Sequence, residues 1–137
     1  MRIKRLSRRF KDPIYRSWWI VIACDPKEFA SKIEKSIKSW KPTTKDAKEI
    51  LDRLQTLGLD CLDDYNGRTY ALTNFTKGYK LIVIWLRAGA RVSTVFHEAY
   101  HGARNVTAAR GVQLDGIDEE AMAYYLSFVT DNILGDV

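Results

Sequence analysis

The chain has 137 residues, 46% of them hydrophobic, and 22 Lys+Arg against 17 Asp+Glu. That length fits one ordinary core and excludes two full domains, and only two cysteines exclude a disulfide-dense scaffold. The net charge of +5 is uneven: residues 1–48 carry 14 Lys+Arg against 5 Asp+Glu, and residues 49–137 carry 8 against 12.

The opening "MRIKRLSRRFK" is the densest basic run. Residues 1–14 read as a basic N-terminal arm that could meet nucleic acid, an anionic surface or an acidic partner protein. No aromatic pattern interleaves its charges along the sequence, as a single-strand-binding surface would have. The apolar run "WWIVIAC" is too short to span a bilayer and barely reaches the length of a signal core, so neither a membrane anchor nor export is expected. Cys24 and Cys61 are far apart and form no CxxC pair, which suits two buried thiols in a reducing, cytoplasmic setting.

Tyr15 to Cys24, rich in aromatic and β-branched residues, predicts a strand that closes on Asp25-Pro26. A helix follows from Pro26 to Trp40, with Phe29, Ile33, Ile37 and Trp40 at helical spacing. A second helix spans residues 43–58, with Thr43 or Thr44 to cap it and Gly58 to close it; its stripe is Ala47, Ile50, Leu51, Leu54 and Leu57. Residues 60–89 read as a β region. Asn66-Gly67 signals a hairpin turn, Lys77-Gly78 separates the next strand, and "YKLIVIWL", Tyr79 to Leu86, looks like a buried strand. Two helices close the chain, from Val92 to about Ala109 and from about Ile117. This order predicts an α+β fold, one domain over residues 1–137, with helices against a small, mostly antiparallel sheet.

The only two histidines in the chain fall in "TVFHEAYHGA". Wound as a helix, Val92, Val95, Phe96, Ala99, Ala103 and Val106 share a core-facing arc, and His97 and His101 lie opposite, about 40° apart. Side chains at i and i+4 rise from adjacent turns toward one point, as two ligands of a tetrahedral Zn²⁺ must. Glu98 stands beside that line, where a carboxylate can take a proton from an activated water. A catalytic zinc needs a third protein ligand, and no third histidine exists. The nearest carboxylates are Asp115, Asp118, Glu119 and Glu120, of which Asp118 and Glu119 also suit the first turn of a helix. Glu120 heads a stripe with Tyr124, Ser127 and Asp131.

Together, "STVFHEAYHGA" and "IDEEAMAYYLSFV" resemble the zincin metallopeptidases of the gluzincin branch, in particular the small single-domain versions carried by phages and prophages. The resemblance covers residues 79 to 130. It implies a minimal zincin-like fold, with residues 79–134 forming the metal-site strand and helices. It also implies one zinc per chain held by His97, His101 and Glu120, with Glu98 as general base in hydrolysis of a peptide or protein substrate. By the same resemblance "YKLIVIWL" would offer an edge for an extended substrate. The oxyanion would need a second donor, for which Tyr124, placed first, Tyr125, Tyr100 and Arg104 are available. Two other functions fit the residues: a zinc-bound but non-proteolytic partner-binding protein, and a nucleic-acid accessory protein that works through the basic N-terminus.

Overall fold

The computed structural model describes residues 1–40, 44–59, 62–72, 79–111 and 117–135, without the side chains of residues 44 and 117–119. Strand β1 (Leu6–Asp12) turns into β2 (Ser17–Cys24), and a short 3-10 turn (Pro26–Glu28) leads into α1 (Phe29–Trp40) and then α2 (Thr44–Thr56). Strands β3 (Gly67–Leu72) and β4 (Lys80–Arg87) follow, then α3 (Val92–Ala109) and α4 (Ile117–Leu134). The fold is α+β, with the four strands in the order β1-β2-β4-β3. Both outer pairings are antiparallel, while the central pair β2 and β4 is parallel, with Ile20 opposite Val83.

That central pair explains the apolar runs. A parallel strand covered on both faces has no solvent side, so its sequence loses the polar alternation of a surface strand. Val21 to Cys24 and Leu81 to Leu86 are accordingly buried without interruption. Odd positions of β2 (Trp19, Val21, Ala23) pack with Ile82, Ile84 and Leu86 against α3 and α4. The alternate residues Ile20, Ile22, Leu81, Val83 and Trp85 pack against α1 and α2 through Phe29, Ile33, Ile37, Ile50 and Leu54. The sheet therefore lies between two helical layers.

The β1–β2 turn is built by Asp12, whose Oδ1 accepts from the Ile14 amide at 2.8 Å while Oδ2 accepts from the Ser17 hydroxyl at 3.0 Å. An aspartate bonding the backbone two residues on fixes a tight turn locally. Ser17 Oγ also accepts from Trp19 Nε1 at 2.8 Å and lies 3.0 Å from the Tyr125 hydroxyl, which ties the turn to α4.

Several expectations change. The basic N-terminus is not a loose arm: Leu6–Asp12 is a strand of the sheet, and Ile3 is buried, with its amide donating to the Ala90 carbonyl at 2.9 Å. Leu6 and Phe10 pack on the α3–α4 core while the charges between them face outward, a pattern in which the charges conceal the strand. Asn66-Gly67 forms no hairpin among the described residues, since residues 62–66 are irregular and Gly67 begins β3. The Lys77-Gly78 turn lies outside the described residues, as does Cys61. The strand Tyr79–Leu86 is interior rather than an edge, because β4 pairs with β2 on one side and β3 on the other. Among the described residues no helix is long and apolar enough to cross a membrane.

Candidate metal centre

Helix α3 crosses the sheet close to β3 and β4 because its inner face is small. Ala99, Gly102 and Ala103 are buried, and a Cβ at Gly102 would come within 2.6 Å of the Trp19 ring. This close seat puts the outer flank of α3 beside the edge strand β3. Phe96, expected on the core-facing arc, is 46% exposed, and Glu98 is instead buried, at 7%. The arc is rotated toward Glu98 because β3 covers that flank. The backbone of Gly67 lies against the Glu98 side chain.

His97 and His101 project from successive turns with their Nε2 atoms 3.2 Å apart and ring planes 82° to one another. Two nitrogens bound at about 2.0–2.1 Å to a tetrahedral ion stand roughly 3.3–3.4 Å apart, so the imidazole pair has the spacing of two ligands of one zinc. Glu98 is fixed beside them. The Thr69 hydroxyl donates to Glu98 Oε1 at 2.7 Å and lies 3.1 Å from the Glu98 carbonyl oxygen, while Glu98 Oε2 sits 3.9 Å from His97 Nε2. One carboxylate oxygen is thus occupied by the strand and the other faces the histidines.

These groups open on a cleft of about 890 Å³ between α3 and the edge strand, lined by His97, Glu98, His101, Thr69, Gly67 and Asp64 among others. The edge strand is held at its start by Arg68, whose guanidinium donates to the Leu57 and Gly58 carbonyls at 2.9 and 3.1 Å. At the far end Lys80 Nζ donates to Asn105 Oδ1.

The other expected residues whose side chains the structure describes lie elsewhere. Glu120 is exposed on α4 and is not part of the cleft lining, and among the described residues no three His, Cys, Asp or Glu side chains stand together to hold a metal. The Asp118 and Glu119 side chains and all of Asp115 lie outside the described residues. Tyr124 is 71% exposed on α4, and Tyr100 and Arg104 are exposed on α3; none of the three lines the cleft. Tyr125 is buried against Ser17 in the core. Two cleft residues escape a reading of the sequence: Thr69 and Gly67. Thr69 lies in an ordinary strand pattern and Gly67 reads as half of a turn, and their partner is fixed only by how α3 packs.

No family model, curated protein or solved structure matches the chain.

Proposed function

We propose that the chain is a zinc-dependent metallopeptidase of the zincin type that hydrolyses peptide bonds, with Glu98 as general base. The observation that carries this reading is the convergence of the His97 and His101 Nε2 atoms, 3.2 Å apart, beside the buried, oriented carboxylate of Glu98. His97 and His101 would hold one zinc, and Glu120 is the proposed third ligand. Zinc supplies Lewis-acid chemistry, polarising a carbonyl and lowering the pKa of water.

The chain's own groups account for the rest. Thr69 holds Glu98 Oε1, so Oε2 is the oxygen left to take a proton from a water in the cleft and return it to a leaving amine. The backbone of Gly67 lies against the Glu98 stem on the strand side. In the sheet order β3 is the outer strand beside the cleft, and an extended peptide could pair with its backbone. That strand takes over the substrate-edge role expected of "YKLIVIWL".

Metal analysis of the purified protein tests the reading directly. About one zinc per chain is expected, lost in His97→Ala and His101→Ala, retained in Glu98→Gln, and weakened in Glu120→Ala. Zinc-dependent cleavage of a mixed peptide library, abolished by Glu98→Gln, completes the case. Stoichiometric zinc without any cleavage would favour the non-proteolytic binding protein, and a stably folded chain that takes up no zinc would end both.

A further inference from the structure

A second concave surface lies on the opposite edge of the sheet, remote in strand order from the histidine cleft. A groove of about 630 Å³ runs between β1 and α1, with Arg9 on the strand and Lys32 and Lys35 on the helix among its lining residues, and no carboxylate among the described residues that line it. Arg5 also lines it, but its charge is met by Asp25 and Glu28, at 2.9 and 2.5 Å.

The aromatic rings missing from the N-terminal sequence are supplied by the fold. Arg9 lies over the Trp40 ring at 5.7 Å, Lys11 over Trp18 and Tyr79 at 5.7 and 5.1 Å, and Arg16 over Tyr79 at 5.6 Å. These three rings are only partly buried. Arg9 and Lys11 are two residues apart on one face of an extended strand, so these cations flank the packed Trp40–Trp18 pair, and Lys11 and Arg16 flank Tyr79, along one track. Strand β1 is seven residues long, which gives the track a length of about 20 Å.

We propose that this track binds single-stranded nucleic acid, with phosphates met by Arg9, Lys11, Lys32 and Lys35 and bases stacked on Trp40, Trp18 and Tyr79. A cationic groove alone suits any polyanion. Flat rings set among the cations add a partner for unpaired bases, the combination by which single strands are held without sequence preference. A duplex keeps its bases stacked inside and could use only the charges. Charge on an edge strand also blocks pairing with other chains. That role asks nothing of Lys32 and Lys35 on the facing helix, nor of the rings.

The test is fluorescence anisotropy of labelled oligodeoxythymidylate with the intact chain in a chelating buffer, which keeps the histidine site out of the measurement. Binding at low salt is expected, with log affinity falling linearly with log salt by about 0.7 per phosphate neutralised. The triple variant Arg9→Ala, Lys32→Ala, Lys35→Ala is expected to reduce that slope by about 2. Trp40→Leu and Tyr79→Leu should each weaken binding about 5- to 100-fold with the slope unchanged. Circular dichroism checks their fold, and if Trp40→Leu unfolds, Tyr79→Leu decides. No binding at low salt, duplex or polyglutamate bound as tightly as the single strand, or ring variants that bind like the parent would each overturn the proposal.

Discussion

The backbone of Gly67 lies against Glu98: a Cβ at position 67 would stand 2.8 Å from Glu98 Cγ and 3.0 Å from Thr94 Cγ2. Neither atom is the loose end of a long side chain, so a methyl group there must move the carboxylate or the strand. Gly67→Ala is therefore expected to lose the proposed peptidase activity while zinc uptake at His97 and His101 persists. Overpacking of this kind costs about 1–3 kcal/mol, which thermal melting would detect alongside the assay. An alanine variant with unchanged activity and melting would show that the contact does not position Glu98.

Thr69 gives a second handle on the same carboxylate. Its hydroxyl is the donor to Glu98 Oε1, and the Glu98 side chain is only 9% exposed. Valine preserves the shape of threonine and removes the donor, leaving a nearly buried acceptor without it. That loss costs about 1–3 kcal/mol, more than the swap of a surface hydroxyl. Thr69→Val should lower the melting temperature and the turnover together, and Thr69→Ser should restore both. Rescue by serine separates the hydrogen bond from simple packing.

Thr69 and Gly67 also mark where sequence periodicity stops being informative. The long elements were legible because their patterns are local: the stripe Phe29, Ile33, Ile37 sets α1, the run Leu81 to Leu86 sets β4, and the i,i+4 histidines meet as expected. Strand β1 was hidden because an edge strand carries its basic residues outward, and its apolar inward positions are Leu6 and Phe10 alone. The burial of Glu98 and the exposure of Phe96 depend on where β3 lies across α3, a contact between segments about 30 residues apart. No window on the helix alone contains that information. The same holds for the rings beside Arg9 and Lys11, which come from three separate elements or their flanks.

Gly102 tests the seat of α3 on the sheet. In an exposed helix, alanine is favoured over glycine by about 1 kcal/mol. Here a Cβ would approach the Trp19 ring to 2.6 Å and Ile82 Cγ2 to 3.0 Å, and both partners are fully buried. The clash outweighs the propensity gain, since overpacking a filled core costs about 1–3 kcal/mol. Gly102→Ala should lower stability in urea melts and shift the histidine pair. Combining it with Trp19→Phe, which shortens the ring, should cost less than the two changes added separately. Additive behaviour would mean that the helix seats elsewhere.

Two buried acids weaken the fold on the alkaline side. Burial pushes the Tyr125 phenol well above its ordinary range, with the carboxylate of Asp12 adding to the shift, and burial likewise raises the Cys24 thiol. Both stay protonated in the folded chain at a pH where the unfolded chain ionises, near about 8.5 for cysteine and about 10 for tyrosine. Above those values the unfolded state binds fewer protons, so unfolding becomes progressively more favourable as pH rises. Below them the two groups leave stability unchanged. Urea midpoints should thus hold steady up to about pH 8 and then decline. Tyr125→Phe keeps the Ser17 hydroxyl bonded to Asp12 and Trp19, and should flatten the decline above about pH 10. Cys24→Ala should flatten its earlier part, and an alkaline limb identical in all three proteins would place the titrating groups elsewhere.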